Sequence, residues 1–206
     1  MINLTRKFFM LIALSLLSLS AVFAEEYEEG VHYERVVPAQ PTSTVGKVEV
    51  LELFWYGCPH CFRFEPHLER WLKKKPDNAQ FVRMPGVFRP SWENHARAFY
   101  TAELLGVFDK IHEPLFNAIH VKKKNMDTLD SLRDFFADHA GVDKNEFIKT
   151  FNSFAVETRL RRAKTMGARY GVRGVPAVIV NGKYRVPGGG AEAIKIINYL
   201  IEKEST

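Results

Sequence analysis

Apolar and polar positions alternate along this chain in two rhythms, and each predicts a different kind of element. Val48–Tyr56 is dense in β-branched and aromatic residues and predicts a buried strand. Helix signals start at Cys58-Pro59, continue through Phe62, Phe64, Leu68 and Trp71-Leu72, and end before Pro76. Phe81-Val82-Arg83-Met84 predicts a second short strand, stopped by Pro85-Gly86. From Ser91 to about Met166 the apolar spacing is helical. Ala98, Ala102 and Leu105 form one stripe, Leu115, Phe116 and Ile119 another, and Leu132, Phe135 and Phe136 a third, with Gly106 and Gly141 as punctuation. Ala177-Val178-Ile179-Val180 and Lys183-Tyr184-Arg185-Val186 flank Asn181-Gly182, the pair that favours a type I′ hairpin turn. Ala193, Ile194, Ile197, Leu200 and Ile201 then mark a closing amphipathic helix.

Strand–helix–strand, a long helical stretch, then hairpin–helix predicts an α/β architecture: a thioredoxin-like fold with an inserted all-helical domain. The expected limits are 25–88 and 164–206 for the two parts of the sheet domain and 89–163 for the insertion. Before them, Arg6 and Lys7 precede an apolar run from Phe8 to Leu19, and Val22 and Ala24 put small residues at the −3 and −1 positions of a cut. Residues 1–24 therefore read as a secretory signal peptide rather than a membrane anchor, the apolar run being short for a span of about 20 residues. The expected product is soluble, outside the cytoplasm, where disulfides persist.

The 206 residues carry a net charge of +5, to which the signal contributes Arg6 and Lys7 and no acid. Lys73–Lys75, Lys122–Lys124 and Arg159 with Arg161-Arg162 are short basic runs that read as solvated helix faces. No aromatic interleaving accompanies them, so nucleic acid is not an expected partner. There is no internal repeat and no low-complexity tract.

The chain has two cysteines, and both stand in Cys58-Pro59-His60-Cys61. A strand ending in Cys-x-x-Cys at the mouth of a helix points to thiol–disulfide exchange. Proline is favoured at the first helical position, so Pro59 makes Cys58 the N-cap. Its sulfur then faces the free N–H groups of His60 and Cys61 at the positive end of the helix dipole, which favours thiolate. A protonated His60 adds to the effect, whereas Cys61, one turn in, is expected to be more buried and less reactive. A stabilised thiolate leaves easily and makes the disulfide a strong oxidant. A structural staple over so short a loop removes little chain entropy, and zinc wants about four ligands where there is no second cysteine pair. Histidines could fill in, and His67 is one helical step away.

Leu51-Glu52-Leu53-Phe54-Trp55-Tyr56-Gly57-Cys58-Pro59-His60-Cys61 resembles the active-site segment of the DsbA family, the periplasmic thiol–disulfide oxidoreductases. Arg173-Gly174-Val175-Pro176-Ala177, followed by Val180-Asn181-Gly182-Lys183-Tyr184, resembles that family's cis-proline loop and hairpin. The likeness extends over the sequence that follows the signal, including Asn152-Ser153-Phe154. It implies that Cys58 is the nucleophile, Cys61 the resolving cysteine and His60 the tuner of the thiolate. It also implies a cis Val175-Pro176 bond packed against the disulfide, with Val175 backbone groups offered to an extended substrate. Without the resemblance, Pro176 reads equally as a trans proline opening a strand.

Glu52 shares a strand face with Val48, Val50 and Phe54, where a carboxylate is out of place. Buried without a partner it would be costly and titrate high. It reads either as an exposed strand position or, with the family's buried acid at the matching position, as the proton carrier for Cys61. Glu65 matches another family acid and reads equally as a solvated helix residue. Histidines 32, 67, 95, 112, 120 and 139 show no functional pattern, and Phe62, Phe64 and Trp71 read as core and groove wall. Pro187-Gly188-Gly189-Gly190 reads as a flexible loop.

The expected activity is an oxidase that donates its Cys58–Cys61 disulfide to newly exported, reduced polypeptides. Reoxidation by a DsbB-like quinone-linked membrane protein is implied by the resemblance. The expected protein is a periplasmic monomer needing neither metal nor cofactor beyond the disulfide. A disulfide isomerase or reductase is the first rival, although 25–47 is too short for the dimerisation domain such proteins add. A periplasmic metal-binding or chaperone module using the same thiols is the second.

Overall fold

A computed structural model describes residues 27–205; the expected signal segment lies outside them. Among the described residues five strands form one mixed sheet. They are β1 (Glu34–Arg35), β2 (Val48–Phe54), β3 (Ala79–Pro85), β4 (Ala177–Val180) and β5 (Tyr184–Pro187), in the order β1-β5-β4-β2-β3. β2 runs parallel to β3 and antiparallel to β4, and β4 pairs antiparallel with β5. Every residue of β2 is buried, as a strand covered on both faces requires. Helix α1 (Pro59–Leu72) connects the parallel pair β2 and β3. The structure ends β2 at Phe54, two residues before the expected limit, and extends β3 by two residues at its start.

The helical stretch is five helices: α2 (Glu93–Leu104), α3 (Phe108–His120), α4 (Leu129–Ala140), α5 (Lys144–Phe151) and α6 (Phe154–Arg169). Thr128, Asp143 and Ser153 cap the last three, each side chain accepting from backbone N–H groups of the first turn. The expected domain limit at residue 163 falls inside α6. The closing helix, α7, is Ala191–Lys203. One apolar cluster joins Val48 and Val50 to Phe64 and Leu68 of α1 and Ile197 and Leu200 of α7. The other joins Leu51 and Leu53 to the helical insert and takes in Cys58 and Cys61. Trp71 Nε1 donates to Asn198 Oδ1 at 2.8 Å and ties α1 to α7.

The hairpin has the expected turn: Asn181 and Gly182 take φ of 51° and 67°, and Lys183 N–H donates to the Val180 carbonyl at 3.0 Å. It carries β4, and with it Pro176 just before that strand, to the edge of the motif at the head of α1.

Candidate active site

Cys58 is the N-cap of α1 with extended φ and ψ, and Pro59 occupies the first turn. The Cys58 sulfur accepts from the Cys61 backbone N–H at 3.4 Å. Both cysteines are free thiols here, and Cys58 Sγ donates to the Val175 carbonyl at 3.4 Å, across 117 residues of sequence. The Val175–Pro176 bond is cis, as the resemblance implied and the trans reading did not; Val37–Pro38, which carried no such expectation, is cis as well.

The two thiols are driven apart. The Cys58 thiol is lowered to about 6, first by the hydrogen bond from the Cys61 side chain; burial opposes this, and the N–H groups of Cys61 and His60 and the His60 charge add to it. Burial pushes the Cys61 thiol far up, with Cys58 and the Glu52 charge acting in the same sense. Cys61 is wholly buried. His60 is exposed, and its Nδ1 accepts from Arg63 Nη2 at 2.9 Å. The Cys61 side chain is thus the main source of the thiolate's stabilisation, with the N–H groups of the helix N-terminus and the His60 charge adding smaller contributions.

Glu52 is fully buried, which overturns the exposed-strand alternative. The parallel register sets it directly beside Arg83 on β3. Arg83 Nε donates to Glu52 Oε2 at 3.1 Å, and Nη2 donates to Glu65 Oε2 at 2.9 Å. Glu65 is therefore not a solvated helix residue either. Burial, helped by the Glu65 charge and opposed by Arg83, pushes Glu52 up to about 8. Burial would raise Glu65 too, but His112 and Arg83 outweigh it and hold that group below its ordinary value. His112 belongs to this cluster, against the expectation that it carries no functional pattern. Its only sequence signal is its place on the helical stripe beside Leu115 and Phe116.

The glycine run also has a structural reason. Gly188 N–H donates to the Pro176 carbonyl at 3.0 Å. A Cβ on Gly189 would stand 2.8 Å from Phe64 Cγ and 3.0 Å from Pro176 Cγ, so only glycine lets the loop lie this close over the proline. Gly189→Ala is expected to lose about 1–3 kcal/mol of stability in denaturant unfolding and to slow thiol exchange by displacing Pro176. Unchanged stability together with an unchanged exchange rate would show that the contact does not matter. Beside this loop a groove of about 750 Å³ runs past His60, Arg173, Val175 and Pro176. Phe62 stacks on His120 with centroids 5.0 Å apart. Among the described residues no group of three or more His, Cys, Asp or Glu side chains is placed to hold a metal ion.

Residues 49–195 match the family described as DSBA-like thioredoxin domain. The thiol:disulfide interchange protein DsbA of Pseudomonas aeruginosa is 42% identical over 203 residues, 94% of this chain and 96% of that protein. A crystal structure of Pseudomonas aeruginosa DsbA superposes with a TM-score of 0.82 at 44% identity, covering 88% of this chain and 96% of that one. The oxidoreductase DsbA from Xylella fastidiosa gives 0.80 at 34% identity, over 87% and 98%.

Proposed function

Because this chain belongs to the DsbA family of thioredoxin-like thiol:disulfide oxidoreductases, we propose that it works as an oxidase, donating the Cys58–Cys61 disulfide to reduced, newly exported polypeptides in the periplasm. The observation that carries the direction is the asymmetry of the pair: a Cys58 thiol lowered to about 6 beside a buried Cys61 thiol pushed far up. A reduced form with a stabilised thiolate makes its disulfide a strong electron acceptor.

In the proposed reaction a substrate thiolate attacks Cys58 Sγ and the Cys58–Cys61 bond breaks. A substrate–Cys58 disulfide forms, and the electron pair goes to Cys61. Cys61 takes a proton, which Glu52 is suited to supply because it is held neutral near pH 7. A second substrate thiolate then attacks the substrate sulfur of the mixed disulfide. The substrate leaves oxidised and Cys58 leaves as the stabilised thiolate. Pro59 starts the helix that stabilises it, His60 adds charge at the rim, and Val175 and Pro176 hold an extended substrate backbone in the groove. No cofactor beyond the disulfide and no metal is used. A DsbB-like quinone-linked membrane protein would accept the electrons, and the protein acts as a monomer. Residues 1–24 are proposed as the cleaved export signal, and 89–163 as an insertion whose last helix, α6, continues into the second part of the sheet domain.

The test is the reduction potential of the pair, equilibrated against glutathione. A value near about −120 mV, the known figure for DsbA, supports net oxidation of substrates. A value near about −270 mV, as in thioredoxin, would overturn the oxidase reading in favour of a reductase or isomerase.

A further inference from the structure

Two buried carboxyl groups, a part-buried guanidinium and a buried imidazole cluster together, with the Glu52 charge felt at Cys61, and their contacts are unequal. Glu52 Oε2 receives one donor, Arg83 Nε at 3.1 Å. Glu65 Oε2 receives Arg83 Nη2 at 2.9 Å and has His112 Nε2 at 3.3 Å. The remaining oxygens, Glu52 Oε1 and Glu65 Oε1, are buried with no hydrogen-bond partner among the described residues. A buried carboxylate short of donors is expensive, so a single guanidinium cannot keep both groups ionised without strain on one of them. The group that keeps the proton is the one with fewer donors and deeper burial, and Glu52 is both.

His112 comes from α3, in the helical insert. Its Nδ1 is 2.9 Å from the Tyr56 hydroxyl. A carboxylate oxygen only accepts, so the Nε2 atom facing Glu65 is the one that carries hydrogen in the neutral ring. Nδ1 then accepts, and Tyr56 O–H donates to it. This bond fixes the tautomer and leaves the hydrogen on Nε2, the atom 3.3 Å from Glu65 Oε2. The Nε2–Oε2 approach is longer and less well aligned than the Arg83 one, and it is an electrostatic contact more than a strong hydrogen bond. Burial holds the imidazole below its ordinary value, against the pull of Glu65, which keeps the ring neutral and suited to this role.

We propose that His112 is a positioning residue that decides which of the two carboxyl groups carries the exchangeable proton, by holding Glu65 as the ionised partner of Arg83 and leaving Glu52 protonated beneath Cys61. The helical insert thereby reaches the redox chemistry without touching substrate. The chain of contacts runs Tyr56, His112, Glu65, Arg83, Glu52 and joins α3, α1, β3 and β2. The other charged groups felt here are Asp109 of α3 at His112 and Glu103 of α2 at Tyr56; Cys58 and Cys61 are the titratable groups above. The inference rests on the reading of Glu52 as the proton carrier.

The experiment follows the carboxyl 13C shifts of the reduced protein as a function of pH. Wild type is expected to show a Glu52 midpoint at about 8, with Glu65 ionised below its ordinary value. In His112→Phe, which suits the aromatic surroundings of Phe54, Phe108 and Phe116, the Glu52 midpoint is expected to fall and that of Glu65 to rise, each by about one pH unit or more. His112→Gln can still donate to Glu65 and is expected to restore both midpoints, which recovery of packing alone would not do. Tyr56→Phe keeps the ring volume and frees the imidazole tautomer, so it is expected to move both midpoints in the same directions by less. Midpoints that stay put in His112→Phe, or that His112→Gln shifts as far as phenylalanine does, overturn the inference. Glu52→Gln separates it from its premise. If that variant removes the midpoint at about 8 while His112→Phe leaves the wild-type pattern intact, only the His112 inference fails. If a carboxyl midpoint survives there in Glu52→Gln, the Glu52 reading fails and takes this one with it.

Discussion

Cys61→Ala is expected to accumulate as a mixed disulfide when mixed with a disulfide-bonded peptide, whereas Cys58→Ala is expected to form almost none. The Cys58 sulfur sits at the helix N-terminus beside the groove; Cys61→Ala removes the Cys61 side-chain hydrogen bond, the largest cause of its lowered thiol, but keeps the backbone N–H groups of residues 60 and 61 and the His60 charge, which still favour thiolate. The Cys58 sulfur attacks the peptide disulfide, one peptide sulfur leaves as thiolate, and the Cys58–peptide bond remains. With Cys61 gone, no second sulfur stands 3 residues along the helix to break that bond. Cys58→Ala leaves only Cys61, wholly buried, and that burial, the largest cause of its raised thiol, survives the substitution. A greater intrinsic nucleophilicity recovers only about half of the deficit in thiolate on a logarithmic scale, so the rate should fall at least about a hundredfold. Mass spectrometry of the quenched mixtures reads the adducts directly. Adducts of equal yield in the two variants would remove the assignment of nucleophile and resolving cysteine.

The parts of this arrangement that were legible in sequence are those made by neighbouring residues. Cys58 caps a helix because Pro59 follows it, and Asn181-Gly182 turns a hairpin because both residues tolerate positive φ; neither depends on the rest of the fold. The caps Thr128, Asp143 and Ser153 were equally local and mark where the continuous helical pattern breaks into separate helices. Glu52 could be singled out as an acid in an apolar strand, but not given a partner. Its partner Arg83 is just as anomalous between Val82 and Met84, and a charge of opposite sign in each of two adjacent parallel strands was the available signal. That pairing needs the register of β2 against β3, which periodicity does not supply. His112 needed more still, the packing of α3 against α1 and the loop after β2. β1, two exposed residues long, has no pattern to read, and the pairing with β5 alone makes it a strand. The glycine at 189 is explained by what passes beneath it, not by its own conformation.

The oxidised and reduced proteins are expected to exchange order of stability with pH. In the reduced protein the Cys58 thiol is lowered from an ordinary 9.0 to about 6, so folding favours its ionised form. A group with a depressed folded value stabilises above its unfolded value, and the benefit is lost as pH falls through the folded value. For Cys58 the window runs from about 9 down to about 6. Discounted for solvent screening at this half-buried thiolate, the full shift corresponds to about 3 kcal/mol, of which about 2.5 kcal/mol is present at pH 8.5, about 1 kcal/mol at pH 7, and almost nothing below pH 6. Cys61 has its folded value raised, so it disfavours folding only where the unfolded thiol would ionise, towards pH 9.0 and above. The oxidised protein has no thiolate, but its disulfide closes a loop of four residues, Cys58 to Cys61, worth about 2 kcal/mol by chain entropy. The thiolate term therefore wins near pH 8.5 and the loop term wins near pH 6, with the crossing between pH 7 and 8. Denaturant unfolding of both forms across this range gives the two curves. A reduced protein that is the less stable form at pH 8.5 would mean that the fold does not stabilise the Cys58 thiolate and that its disulfide is not a strong oxidant, which would overturn the oxidase reading.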